Sequence, residues 1–232
     1  MVSSPAPRDS PLAGGFRSHE PRQAARVDAA CVEHELRGER VGFVERGLDV
    51  LLASVGLVLL GLCIPLVWAA NRVWAPGPLL HRQVRVGRGN RPFVMFKLRT
   101  MVVDAEPDGP RWAAAEDARV TAVGRVLRRC HLDELPQCWN VLRGEMSVVG
   151  PRPERPELVA ALSRALVGYE RRHAIRPGLT GYAQIHYRYD AALDDVRQKL
   201  EHDLYYVRRR SIGLYLTIVI RTVAVVARAR GR

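Results

Sequence analysis

The sequence predicts an α+β protein, predominantly α, held at a membrane. Three observations carry that reading. Val50 to Ala70 is a run of 21 residues without a formal charge, long enough to cross a hydrocarbon core of about 30 Å. Helical periodicity dominates the chain from Val123 onward. Between these regions, two short apolar runs flank Arg88-Gly89-Asn90, a turn sequence of the hairpin kind.

With 232 residues, 47% of them hydrophobic, the chain can bury a core without disulfide staples. Cys31, Cys63, Cys130 and Cys138 form no CxxC pair, which argues against a zinc site or a disulfide framework. Unpaired thiols suit a reducing cytosol. The net charge of +12 is unevenly placed. Arg72 to Arg99 holds seven cations and no acid, and so does Arg208 to Arg232. Both segments adjoin apolar stretches, a layout suited to an anionic lipid surface or a phosphate-rich ligand. Nucleic acid is the rival partner. It is not expected, because basic residues interleaved with aromatics are missing. Only Lys97 and Lys199 are lysines among 36 cations. Lys97 is either a chance retention or a place that wants a compact point charge.

Residues 1–44 are rich in Pro, Ser, Ala and mixed charge, and read as a disordered or weakly helical extension. The apolar run that follows starts too late and continues too long for a signal peptide. Pro65 lies two-thirds of the way along it, where it removes a backbone donor and disfavours helical geometry at Ile64. Two arrangements stay open: a straight or kinked span, and a helix that breaks near Pro65 and returns to the same face. The second needs partners for irregular backbone at depth, so the span is the less costly. Gln83–Val86 and Phe93–Phe96 read as the strands of the hairpin. Residues 104–112 read as a loop. Helices are expected over 123–129, 133–142, 157–173, 193–207 and 211–229, the last interrupted by arginines and suited to lying at an interface.

Three clusters can carry chemistry. In Lys97-Leu98-Arg99-Thr100-Met101-Val102-Val103-Asp104-Ala105-Glu106, two cations precede two carboxylates. Cations neutralise phosphate oxygens, and a carboxylate acts as nucleophile or holds a divalent metal. A solvated turn of mixed charge has the same appearance. In Arg125 to Asn140, Asp133 and Glu134 follow several arginines, a pattern shared with a helix N-terminus. His131 there reads as an ordinary surface or core histidine. In Gly150-Pro151-Arg152-Pro153-Glu154-Arg155-Pro156, with Arg176-Pro177-Gly178-Leu179-Thr180-Gly181 later, three prolines make a stiff loop. That loop either presents guanidinium groups to phosphate or simply connects helices.

Together these segments resemble the bacterial sugar transferase family, the monotopic phosphoglycosyl transferases that initiate exopolysaccharide and O-antigen synthesis. The resemblance runs from about Glu45 to Val226. It rests on GPLLHRQVRVG, FKLRTMVVDAE, GRVLRRCHLDELPQCWNVLRGEMSVVGPRPERPE, HAIRPGLTGYAQI and KLEHDLYYV, in order. It implies transfer of a sugar 1-phosphate from a UDP-sugar to undecaprenyl phosphate, with release of UMP and use of Mg²⁺. It also implies a re-entrant membrane helix over 45–75 broken at Pro65, in place of a span. A catalytic domain over 76–232 follows, with interfacial amphipathic helices, on the cytosolic face of the bacterial inner membrane and against its anionic lipids.

By motif position the resemblance places the nucleophile of a covalent phosphosugar intermediate at Asp104 or, because Ala105 separates two acids that are adjacent in some relatives, at Glu106; Asp104 is the preferred choice with Glu106 as its partner, the two also serving the metal. Lys97, Arg99 and Arg125 are expected on phosphates. Pro151, Arg152, Pro153 and Arg176 are expected on the nucleotide, with Asp133, Glu134 and Gln184 in support. The chain departs from the family pattern at Tyr182, at His186-Tyr187-Arg188-Tyr189 and at Tyr215. A membrane-anchored protein that holds polyprenyl phosphate without turnover is the competing class. The sugar and the oligomeric state are not legible.

Overall fold

A computed structural model of the chain describes residues 21–105, 117–186 and 193–227. The chain divides into two units, Met1–Arg37 and Gly38–Arg232, and the second carries the core and the site.

Helix α1 runs from Pro21 to Trp74 and passes through Pro65 as one helical element. The expected break is thus not an interruption of the helix. A proline removes one intrahelical hydrogen bond and bends a helix without having to end it. The apolar part is long enough to cross a membrane, with a mean hydropathy of 2.7. Its burial has a helical period: Glu45, Asp49, Ala53, Gly56, Val67 and Asn71 are buried. Leu51, Val55, Val58, Leu62 and Leu66 on the remaining faces are exposed. One stripe of α1 therefore lies along the folded domain for the whole apolar stretch.

Strands β1 (Leu80–Val86) and β2 (Pro92–Leu98) pair antiparallel, Val84 opposite Val94 and Leu80 opposite Leu98. The turn between them holds Gly89 and Asn90 at φ 63° and 60°, the left-handed region that Gly and Asn tolerate. Helix α2 (Ala122–Arg129) is capped by Thr121, whose hydroxyl accepts from Gly124 N. Helix α3 (Gln137–Arg143) begins after Pro136, later than expected, because a left-handed His131 and a 3₁₀ turn over Leu132–Glu134 precede it. Strands β3 (Ser147–Val149) and β4 (Gly178–Thr180) form a parallel pair absent from the sequence reading. The single helix expected over 157–173 is two elements. Helix α4 (Pro156–Ala165) stops before Gly168 at φ 80°, and a 3₁₀ turn over Tyr169–Ala174 follows. Helices α5 (Tyr182–His186), α6 (Leu193–Arg209) and α7 (Ile212–Ala227) complete the domain.

The main core gathers Ala53 of α1, Met95, Cys138, Val141, Met146, Val149, Tyr206, Tyr215 and Ile218. Gly56 lets α1 approach α3, since a Cβ there would meet Cys138 Sγ at 2.5 Å. Asp49, fully enclosed, accepts from Ser147 Oγ (2.9 Å), Val148 N (2.8 Å) and Tyr215 Oη (2.9 Å), joining α1, β3 and α7. Arg46 donates to the Val141 and Leu142 carbonyls (2.6 and 2.8 Å), which closes the C-terminal end of α3. Glu45 pairs with Arg210.

Candidate active site

The site is assembled at the C-terminal end of β2. Lys97, near that end, reaches Glu134 Oε1 at 2.8 Å, and Arg152 Nη2 reaches the same oxygen at 3.1 Å. The side chains of Lys97 and Glu134 are each 18% exposed, that of Arg152 43%. Burial pushes the Glu134 carboxyl up, but Lys97 and Arg152 outweigh it and hold the group well below the usual carboxylate range. The adjacent Asp133 goes the other way: burial, and then the charge of Glu134, raise it. Two neighbouring acids are thus driven apart, one fixed as an anion and one biased toward holding a proton.

The Pro151–Glu154 loop is as stiff as its prolines suggest, for a further reason. Each of its four carbonyls accepts a hydrogen bond: Pro151 from Gly178 N (2.9 Å), Arg152 from Arg172 Nη2 (2.8 Å), Pro153 from Arg85 Nη1 (3.1 Å) and Glu154 from Val86 N (2.9 Å). Arg172 is itself buried and fixed by Asp203 (2.7 and 2.9 Å) and Tyr169 Oη (2.9 Å). Sequence reasoning missed Arg85 and Arg172, since nothing near them in the chain signals a loop anchor. Gln184 lines a cavity of about 60 Å³ with Arg152, Glu154, Arg172, Lys199 and Asp203. Its amide nitrogen donates to Leu179 O at 3.3 Å, and its buried Oε1 has no partner among the described residues.

Asp104 is exposed and sits at φ 57°, a left-handed conformation uncommon for a residue other than glycine. The base of its loop is closed by the Met101–Val120 bridge, by Val102 N on Arg119 O (2.9 Å) and by Arg119 Nη1 on Ala105 O (3.3 Å). Val103 packs against Gly77, just past the end of α1, where an added Cβ would stand 3.0 Å from Val103 Cγ2. Asp104 therefore lies beside the point where the apolar helix ends. Glu106 lies outside the described residues. Among those described, no three His, Cys, Asp or Glu side chains cluster. The hard carboxylate oxygen of Asp104 suits Mg²⁺, which uses one or two protein carboxylates and retains several waters.

Arg99, expected on phosphate, and Arg176, expected on the nucleotide, have other neighbours here. Arg99 donates to Pro78 O (2.6 Å), Met101 O (3.2 Å), Asn71 Oδ1 (3.1 Å) and Ala75 O. As placed, it fastens the end of α1, because those carbonyls use four of its five N–H donors. Arg176 is grouped by motif with Arg152, but its strongest electrostatic neighbours are Arg46, Arg88, Asp49 and Arg210. The two backbones are joined through β3 and β4 while the two guanidinium groups face different clusters. Arg125 is exposed on α2 and donates to Val120 O at 3.2 Å. Arg128, not singled out from sequence, reaches Thr100 Oγ1 at 2.9 Å.

Asp104 is exposed near the end of a long apolar helix, and Lys97 and Arg152 share one carboxylate oxygen of Glu134. Residues 40–229 match the family described as Bacterial sugar transferase, and the chain belongs to that family. It is 41% identical over 181 residues to an Aeromonas hydrophila protein named UDP-N-acetylgalactosamine-undecaprenyl-phosphate N-acetylgalactosaminephosphotransferase, covering 78% of this chain and 43% of that one. It is 42% identical over 183 residues to a UDP-glucose:undecaprenyl-phosphate glucose-1-phosphate transferase of Caulobacter vibrioides, covering 77% and 68%. The exopolysaccharide production protein ExoY of Rhizobium meliloti is 37% identical over 205 residues, covering 82% and 88%. The chain thus spans less than half of the Aeromonas relative and most of the Rhizobium one.

Proposed function

We propose that this protein transfers a sugar 1-phosphate from a UDP-sugar to undecaprenyl phosphate. An Asp104 carboxylate oxygen attacks the sugar-bearing phosphorus, and the bond to the UMP oxygen breaks, so UMP leaves. A phosphate oxygen of undecaprenyl phosphate then attacks the same phosphorus, frees Asp104 and yields the diphosphate-linked lipid sugar. The observation that carries this reading is the placement of an exposed Asp104 at the end of α1, where a soluble donor and a lipid-borne acceptor can both reach it. Lys97 and Arg152, pinned to one oxygen of Glu134, supply fixed positive charge for diphosphate oxygens. Arg125 serves the same charge from α2, and the Pro151–Arg152–Pro153 loop serves the uridine end. Mg²⁺, held by Asp104 with Glu106, would neutralise charge on the diphosphate.

The same reading puts the domain on the cytosolic face of the bacterial inner membrane, with α1 re-entrant. Both ends of its apolar stretch bond to one folded body: Asp49 to Ser147 and Tyr215, and Asn71 to Arg99. A folded domain packed along the whole apolar stretch favours a helix lying at the membrane face over one that crosses it.

The test is UMP release from a panel of UDP-sugars with undecaprenyl phosphate and Mg²⁺. The expected result is release from at least one donor, a phosphosugar adduct trapped on the unmodified protein, and loss of both in Asp104→Asn. Release that persists in Asp104→Asn would overturn the role given to that residue. No release from any donor, with the lipid still bound, would favour a lipid-binding protein without turnover.

A further inference from the structure

We propose that Arg88 and Arg176, with Arg46 and Arg210 beside them, form a second anion site, for a phosphate carried on a lipid headgroup. The inference rests on the membrane placement proposed above. It concerns a cluster separate from Lys97, Glu134 and Arg152.

Four distant parts of the chain are stitched together here. Asn90, two residues after Arg88, meets His173 at 2.5 Å, three residues before Arg176. Pro177 O accepts from Ser147 N at 2.8 Å, and Ser147 Oγ donates to Asp49, one helical turn from Arg46. Arg210 is bonded to Glu45, in the same turn of α1. The acids in this cluster are already engaged. Glu45 holds Arg210, while Asp49, bonded to three neutral donors, keeps its charge and only partly offsets the cations around Arg176.

Arg88 is exposed and Arg176 half-buried, and neither guanidinium has a hydrogen-bond or ion-pair partner among the described residues. A half-buried cation without an acceptor is costly. Burial and the charges of Arg46 and Arg88 all act to lower the pKa of Arg176. An oxyanion relieves each of these penalties, since its several oxygens can accept from both guanidinium forks.

The position of the cluster selects a lipid-borne phosphate. Arg46 stands four residues before the uncharged run begins at Val50. Arg210 stands two residues before α7. Both helices expose large apolar side chains near these ends, Leu51 and Val55 on α1 and Leu216 and Ile220 on α7. The arginines therefore border the surface suited to acyl chains, at the level where headgroups sit.

The test uses the full-length protein and three vesicle compositions: phosphatidylcholine alone, with phosphatidylglycerol, and with undecaprenyl phosphate. Arg88→Gln with Arg176→Gln is compared with Arg88→Lys with Arg176→Lys. Neither pair removes a side-chain bond to the described residues. The glutamine pair should weaken binding to one or both anionic vesicles roughly 25-fold, about fivefold per arginine. Neutral vesicles should be unaffected, and the lysine pair should recover most of the loss. A loss confined to undecaprenyl phosphate assigns the site to the acceptor lipid, and a loss confined to phosphatidylglycerol assigns it to a bulk headgroup. Unchanged binding throughout, or an equal loss on neutral vesicles, overturns the proposal. So does weakened UDP-sugar binding with lipid binding intact, which would return Arg176 to the nucleotide. Absent UMP release alongside normal, arginine-dependent lipid binding counts against the reaction and not against this site.

Discussion

At the scale of single residues, the shared oxygen of Glu134 decides the geometry of the site. Lys97 and Arg152 would repel each other without it. Glu134→Gln should destabilise the protein by about 3 kcal/mol, because it leaves a largely buried lysine without its counter-charge. The measurement is the unfolding midpoint in detergent. His173 gives a pH signature. Burial, and then Arg172, push its pKa down to about 4 from an ordinary 6.5. Between those values the unfolded chain binds a proton that the folded chain excludes. Stability should fall as pH drops through that window and level off below it. In His173→Gln this part of the pH dependence should vanish, as read from midpoints at pH 7 and pH 5. Lys97, Glu134 and Arg152 are each legible in the sequence as charged members of motifs. Their convergence is not, because residues 37 and 18 positions apart share no local period.

Among the secondary-structure elements, the parallel pair β3–β4 joins two segments that the sequence presents separately as proline-rich loops. Three residues on each side are too few for a strand period to declare itself. The glycines explain the pairing. A Cβ on Gly178 would run into Gly150 N and Thr180 O, and one on Gly181 into Gly150 O. Gly178→Ala should cost about 1–3 kcal/mol by overpacking. It should also loosen the Pro151 carbonyl that Gly178 N holds. The check is a lower unfolding midpoint together with weaker UDP-sugar binding. Over the described residues, helices α2, α6 and α7 fall within two residues of their sequence-based bounds. The helix expected through residue 173 fails at Gly168, whose left-handed backbone stops α4. Tyr215, a departure from the family pattern, finds its use as a donor to Asp49.

For the molecule as a whole, the course of α1 is the organising fact. Glu45 and Asn71 are 26 residues apart, about 39 Å along a helix, yet both are buried against the same domain. The uncharged run is plain in the sequence, but the polar residues buried at its two ends are not. Charge beside an apolar run ordinarily marks an interface, and only the partners 98 to 166 residues away reveal Asp49 as an anchor. Single cysteines at Phe43 and Val73, both exposed, should react with an impermeant maleimide from the same side of sealed vesicles. Labelling from opposite sides would mean a span. The fastening of the helix end by Arg99 carries a mechanical consequence. Arg99 grips Asn71, Ala75 and Pro78, and five residues later the same chain reaches Asp104. On the proposed reaction, the depth at which α1 settles would be passed through Arg99 toward that carboxylate. Lipids with shorter or longer tails, by changing that depth, would tune the chemistry without touching either substrate.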